Sequence, residues 1–371
     1  MRVALIGPPQ SGKSTLFAAV AVGGGSHADV SRGDKAHLAV VKVPDERLDR
    51  LAEQYKPKKT THAELELLDL PGFDLRDETG RHRAKAHWAA IRQSDMLVFV
   101  VRSFPDPSVP TYRGRIDPPG DVEELLAEML FADLDQVTNR IDKLEAAVKK
   151  PTAERLEQTH ELELMRRLDA AMEEDRPISE AVSTEAEAKM IRSFAFLLQK
   201  PMLGVVNCGE QEMTASVESA ATEPANGASS GRRSEICRRS CLYLSARIER
   251  EISELSAADR GEFLADLGLA APASDRMIHA CCTAMGLVTF LTVISDECRA
   301  WMIPAGTSAL DAAGQIHSDI ARGFIRAETV AYDHYHAAGD MKSARAAGKV
   351  RLEGKNYIVA DGDIINFRFN V

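Results

Sequence analysis

The stretch that most constrains this chain is Gly7-Pro-Pro-Gln-Ser-Gly-Lys-Ser14, followed by Thr15. It reads G-x-x-x-x-G-K-S, a phosphate-binding loop. Before it, Val3-Ala-Leu-Ile6 is an apolar run of the kind buried in a parallel sheet. After it, Thr15-Leu-Phe-Ala-Ala-Val-Ala-Val22 reads as a helix stopped by Gly23-Gly-Gly25. Strand, tight loop and helix start together predict an α/β fold. In it the backbone N–H groups of Gln10, Ser11, Gly12, Lys13, Ser14 and Thr15 turn around a phosphate at the positive end of a helix dipole. Pro8 and Pro9 have no N–H, so the donors begin at Gln10. Lys13 is placed to reach the β- and γ-phosphates and to neutralise charge in the transition state, and the Ser14 hydroxyl to hold Mg²⁺.

Later motifs follow in the order such a fold needs. Glu64-Leu-Glu-Leu-Leu-Asp69 is an alternating strand, and its end opens Asp69-Leu-Pro-Gly72, a D-x-x-G turn. There Asp69 holds Mg²⁺ through water and the Gly72 N–H meets the γ-phosphate. Phe73 stands where many nucleotide switches place a glutamine that orients water, and it cannot do so. The Gly23 to Gly33 loop is the place of a first switch, with Ser26 and Ser31 as candidate Mg²⁺ ligands and a plain surface loop as the alternative. His37 to Val43 and Asp95 to Val101 read as strands, Val43 to Ala52 and Trp88 to Arg92 as helices, with Trp88 packing. Pro201 to Val206 reads as a buried strand ending in Asn207-Cys-Gly-Glu210. Guanine-specific switches carry N-K-x-D here; Cys208 in place of Lys and Glu210 in place of Asp argue against guanine. Leu242 to Arg247 reads as the last strand, with Ser245, Ala246 and Arg247 beside the base together with Asn207.

The chain has 371 residues and a formal net charge of −10, which disfavours general coating of nucleic acid and gives no reason to expect DNA as a partner. No apolar run is long enough to span a membrane, and the chain opens directly into a strand. The six cysteines form no C-x-x-C pair and read as reduced thiols of a cytoplasmic protein.

From Asp121 to about Gln199 the pattern is helical. Leu130, Leu134, Val137, Ile141, Leu144 and Val148 form a heptad seam, broken at Lys149-Lys-Pro151. Leu156, Leu164, Met165, Leu168 and Met172 continue it on a second helix, predicting an antiparallel hairpin inserted into the α/β domain. Met213 to Ser234 reads as a linker. From Gly286 on, strands at Thr289 to Ile294, Arg299 to Ile303, Phe324 to Val330, Lys355 to Val359 and Ile364 to Phe369 surround one short helix, Ala312 to Ala321. That layout fits a β-grasp module. It carries a basic stretch, Lys342, Arg345, Lys349, Arg351 and Lys355, which is a solvated face or an RNA contact. The expected division is residues 1–120 with 200–285 as a discontinuous nucleotide-binding domain, 121–199 as the helical insertion and 286–371 as the C-terminal module.

The combination resembles the YchF/Obg-like ATPase family over nearly the whole chain. The resemblance rests on the loop motifs, on Val43-Pro-Asp-Glu-Arg-Leu-Asp49, and on N-x-x-E in place of N-K-x-D. It is densest in Gly323 to Glu328, Lys342 to Gly348, Leu352 to Asp363 and Asn366 to Val371, which are similar to that family's TGS domain. The resemblance implies an ATP preference, slow intrinsic hydrolysis, Mg²⁺ dependence and association with ribosomes or translation factors through the TGS and coiled-coil parts. The chain departs from the family pattern in Gln10-Ser11 for Asn-Val, Gly33 at the first-switch Thr, and Glu78 at a second-switch His, with Gly80 alone of that segment's glycines kept. Nucleotide binding with a remodelled second switch follows. The alternatives are a GTPase, a nucleotide sensor with little hydrolysis, and a C-terminal half that acts purely as a protein adaptor.

Overall fold

The computed structural model describes residues 1–23, 36–210, 241–269, 271–294 and 296–370. Ser26, Ser31 and Gly33, and the Met213 to Ser234 segment, lie outside them. The chain forms two compact units: Met1–Ala39 with Glu66–Ser274, and Val40–Leu65 with Asp275–Val371.

The first unit is built on β1 (Arg2–Ile6), α1 (Lys13–Gly23), β2 (His37–Lys42), and, after α2 (Glu46–Tyr55) and β3 (Lys59–Thr61) of the second unit, on β4 (Glu64–Asp69), α3 (Glu78–Lys85), α4 (Trp88–Arg92) and β5 (Met96–Arg102). Helices α5 (Pro118–Ala147) and α6 (Arg155–Glu173) follow, then β6 (Met202–Asn207) and β7 (Cys241–Leu244). The sheet order is β2-β4-β1-β5-β6-β7, with β1, β4, β5, β6 and β7 parallel. Every residue of β5 is buried, as its unbroken apolar run requires of a central parallel strand. The parallel register sends the ends of β1, β4 and β6 to one edge, where open α/β sheets bind ligands.

Helix α5 starts at its cap Asp117 and at Pro118, three residues before the expected Asp121. Val137 and Leu144 are buried against Leu164, Met165, Leu168 and Met172 of α6, with Leu130, Leu134, Ile141 and Val148 packed beside them. The heptad seam therefore forms the hairpin. Leu156 is a correction: it is 70% exposed, one residue into α6 and ahead of the packed part of the helix. Asp133 on α5 is fully buried and accepts from Arg92 Nη1 at 2.7 Å and from the N–H groups of Leu197 and Leu198 at 3.1 Å each.

The second unit has sheet order β11-β10-β12-β8-β9-β3, from β8 (Leu287–Ile294), β9 (Glu297–Pro304), β10 (Phe324–Ala331), β11 (Arg351–Glu353) and β12 (Asp363–Phe369). Phe290, Phe324, Ala327, Ile365 and Phe367 pack with Ala309, Ala312 and Ala313 of the helix Ala309–Ile316, a β-grasp layout. Several details depart from expectation, among them helices at Tyr332–Ala338 and Met341–Ala346 and the short strand β11, where one helix and no such strand were expected. Lys355 to Val359 is no strand: it forms an isolated bridge between Ile358 and Ser308, with backbone hydrogen bonds to Thr307, Ala309 and Leu310, and Gly354 to Tyr357 turns tightly, with Tyr357 N–H on the Gly354 carbonyl. The helix expected over Ala312 to Ala321 is two, broken at His317, whose backbone is extended and whose Nδ1 caps the second by accepting from Asp319 N–H at 3.1 Å. The sheet also takes in β3, parallel to β9, which alternation did not signal in a three-residue segment. The Val43 to Asp49 motif has a structural task here. Asp45 caps α2 on Arg47 N, while Arg47 reaches Asp361 at 2.7 Å, whose other oxygen accepts from Thr289 N at 2.8 Å.

Candidate nucleotide-binding site

The loop after β1 has the expected shape. Gln10 has φ 61° and Gly12 has φ 92°, both in the left-handed region. Gly12 must be glycine on two counts, since a Cβ there would also lie 2.1 Å from Asn207 Nδ2. Lys13 is buried, and its ammonium donates to the carbonyls of Gly7 and Pro8 at 3.2 Å each. Burial lowers its pKa to about 8, against the opposing pull of Asp69.

Strand β4 delivers Asp69 to the same place. Ser14 Oγ donates to Asp69 Oδ2 at 2.7 Å, so the two residues expected to hold Mg²⁺ are in contact. Asp69 is 2% exposed, and its Oδ1 is buried with no hydrogen-bond partner among the described residues. Burial raises the Asp69 pKa, with Ser14 and Lys13 opposing. A desolvated carboxylate with one unused oxygen beside a serine hydroxyl suits a hard divalent cation with oxygen ligands. Ser11 Oγ is a second buried polar atom without a hydrogen-bond partner among the described residues.

The D-x-x-G turn packs directly on the phosphate loop. Phe73 N–H donates to the Gly7 carbonyl at 3.0 Å, and a Cβ on Gly72 would come within 2.7 Å of Pro9 Cα. The Phe73 side chain turns away into the core, 5.3 Å from the Trp88 ring and 6.0 Å from His87. Gly80, kept from the glycine-rich segment, sits where a Cβ would meet the Asp74 carbonyl at 2.0 Å, and its N–H is capped by Asp77 at 2.7 Å.

The base-side residues behave differently from the sequence reading. Asn207 is buried and uses both ends of its amide on the protein: Nδ2 donates to Ser11 O and Oδ1 accepts from Ala246 N, each at 2.9 Å. It ties the phosphate loop to the 245–247 turn, a bracing role that N-x-x-E spacing alone does not reveal. Cys208 is buried among Ile248, Ile252, Leu264 and Leu269, so its side chain belongs to the core. Glu210 is exposed. Ser245 to Arg247 do not end a strand: β7 stops at Leu244, Ser245 precedes the helix Ala246–Glu254, and exposed Arg247 pairs with Glu251. A cavity of about 460 Å³ lies along α1 and that helix, lined by Ser14, Thr15, Ala18, Val22, Arg250, Ser253 and Glu254.

Glycine loop, buried lysine, serine–aspartate contact and asparagine brace on a parallel sheet define a P-loop nucleoside-triphosphate-binding protein. Residues 2–135 match a family model described as 50S ribosome-binding GTPase, and residues 287–370 match the C-terminal model of YchF GTPases, described as a protein of unknown function. The chain is 36% identical over 368 residues to the ribosome-binding ATPase YchF of Bacillus subtilis, spanning 99% of this chain and 98% of that one. It is 34% identical to the Haemophilus influenzae ribosome-binding ATPase YchF, over 99% and 98%, and 30% identical to Obg-like ATPase 1 of rice, over 100% and 92%. The structure of the Schizosaccharomyces pombe YchF GTPase has the same fold, with TM-score 0.80 at 24% identity over 99% of this chain and 97% of that one. The chain belongs to the YchF family.

Proposed function

We propose that the chain is an ATP-binding, slowly hydrolysing P-loop switch that works on the ribosome in the cytoplasm. The observation that carries this is the cluster of Lys13, Ser14 and Asp69 under a phosphate loop braced by Asn207. In this reading the N–H groups of Gln10 to Thr15 hold the phosphates. Lys13 leaves the Gly7 and Pro8 carbonyls for the β- and γ-phosphates and neutralises charge that develops on the transferred group. Ser14 and Asp69 hold Mg²⁺, which supplies charge neutralisation and orientation of the phosphate oxygens when bound. The Gly72 N–H meets the γ-phosphate. With Phe73 in the core, no side chain at that position orients the attacking water, which supports slow intrinsic turnover.

ATP is favoured over GTP because Cys208 is committed to the core and offers no aliphatic cover for a guanine, and Glu210 replaces the shorter carboxylate. We assign residues 1–120 and 200–285 to nucleotide binding, apart from the Val40–Leu65 segment that joins the second unit, 121–199 to the projecting arm and 286–371 to ribosome or ribosomal RNA contact. No helix among the described residues is long and apolar enough to cross a membrane. In the C-terminal basic stretch, Arg345 is paired with Glu328 and Arg351 lies near Asp363 and Glu353, which leaves Lys342, Lys349 and Lys355 as the RNA-facing candidates. The test is hydrolysis of ATP with and without purified ribosomes. Turnover that ribosomes stimulate, lost in Lys13→Ala, supports the proposal; ribosome-independent rates equal in wild type and variant overturn it.

A further inference from the structure

The turn that follows Gly72 is gripped from outside. Leu75 N–H donates to the Tyr112 hydroxyl at 3.1 Å, and the Leu75 carbonyl accepts from Arg113 Nη2 at 3.0 Å. Both polar groups of one backbone residue are thus held by adjacent side chains of a distant loop, and Arg81 Nε of α3 donates to the same carbonyl at 3.4 Å. Arg113 also carries a two-pronged pair to Glu124 in the second turn of α5, through Nε at 3.1 Å and through Nη2. To do this, Arg113 adopts φ 52°, a left-handed conformation that is strained for a non-glycine residue. The loop itself is built up from β5: Arg102 is buried and donates to the carbonyls of Phe104, Asp106, Val109 and Pro110, shaping the segment that presents Tyr112. Two further ion pairs, Arg81–Glu128 at 3.1 Å and Lys85–Asp135 at 4.0 Å, bridge α3 to α5 across a cleft of about 570 Å³.

We propose that Tyr112 and Arg113 are positioning residues that latch the D-x-x-G turn to the foot of α5, so that the nucleotide state of the turn is passed to the helical hairpin. The proposal rests on the reading of the site as nucleotide-binding. Its geometric basis is that Leu75 lies three residues after Gly72 and cannot follow a moving turn without either breaking both hydrogen bonds or drawing the 112–113 loop and Glu124 with it. A strained arginine held by a carboxylate on a 30-residue helix is suited to the second outcome. The Arg113–Glu124 pair and the two α3–α5 ion pairs make α5 rather than the sheet the recipient.

The experiment is hydrogen exchange, read by mass spectrometry, on the full chain with and without Mg²⁺ and a non-hydrolysable ATP analogue. The wild type is compared with Tyr112→Phe and Arg113→Ala, and with Arg115→Ala, which removes the neighbouring pair to Asp121 but leaves Leu75 untouched. In the wild type, ligand slows exchange in residues 7–15 and 69–80 and alters it in 118–147. Tyr112→Phe, a change too small to unfold the unit, exposes the Leu75 N–H and speeds its exchange roughly tenfold. In it and in Arg113→Ala the response of 7–15 persists while that of 118–147 falls below half; Arg115→Ala responds as wild type. A response of 118–147 that survives both latch variants, or is lost equally in Arg115→Ala, overturns the latch alone. No response at 7–15 in the wild type overturns the nucleotide-binding reading and the latch with it.

Discussion

Asn207 offers the sharpest quantitative prediction. Its amide orientation is forced, because Ser11 O can only accept and Ala246 N can only donate. Asn207→Ala leaves both groups buried without a partner, at about 1–3 kcal/mol each, so the first unit loses about 2–6 kcal/mol. Asn207→Asp keeps the shape but sets a carboxylate oxygen against the Ser11 carbonyl, an acceptor facing an acceptor, and is expected to be at least as damaging. The chain has two tryptophans, Trp88 in the first unit and Trp301 in the second. In a Trp301→Phe background, Trp88 fluorescence during urea unfolding reports the first unit by itself. Nucleotide affinity falls too, by tenfold or more, because Gly12 and Ser11 lose the side chain that fixes their approach to the base-side turn. Asn207→Ala with a Trp88 transition within about 0.5 kcal/mol of its parent and unchanged affinity would refute the bracing argument.

Three further outcomes follow from the same geometry. Lys13 titrates at about 8 in the folded chain and at the ordinary 10.5 when unfolded, so the unfolded chain binds more protons between those values and stability rises with pH there. Lys13→Met is therefore expected to stabilise the nucleotide-free protein by roughly 3 kcal/mol at pH 7, an advantage that shrinks from pH 8 to 10.5, as paired unfolding curves will show. Gly72→Ala drives a methyl to 2.7 Å from Pro9 Cα, and should cut nucleotide-dependent turnover strongly while leaving the Trp301 transition of the second unit in place, measured by hydrolysis and fluorescence. Arg92→Ala strips the fully buried Asp133 of its cation and should cost about 3–5 kcal/mol, whereas Arg92→Ala combined with Asp133→Asn should recover part of the loss in thermal denaturation.

The motifs legible in the sequence were those whose chemistry is local. G-x-x-x-x-G-K-S and D-x-x-G each encode a strand end, a turn and a ligand in a few residues, and Ser14 and Asp69 meet as their types imply. The heptad was readable because packing along α5 repeats every three to four residues, as at Val137, Ile141 and Leu144. Roles that depend on residues far apart in the chain were not. Nothing near Asn207 announces that its partners are Ser11 and Ala246, and a lone Tyr-Arg-Gly in a proline-rich loop gives no sign of Leu75, 37 residues earlier. The capture of Val40–Leu65 by the C-terminal sheet was hidden for the same reason: Arg47 and Asp361 lie 314 residues apart. Cys208 looked like a base-side residue by alignment with a motif, and its apolar surroundings, assembled from the helix after β7, sent it into the core.

The most direct measurement is the equilibrium affinity of labelled ATP and labelled GTP, each with Mg²⁺ and each repeated with Mg²⁺ chelated, for the wild type, Lys13→Ala and Asp69→Asn. ATP is expected to bind more tightly than GTP, binding to be abolished in Lys13→Ala, and Asp69→Asn to keep a residual affinity that no longer responds to Mg²⁺. Tighter binding of GTP would contradict the assignment of the base, and an Asp69→Asn variant that still responds fully to Mg²⁺ would contradict the assignment of the metal site.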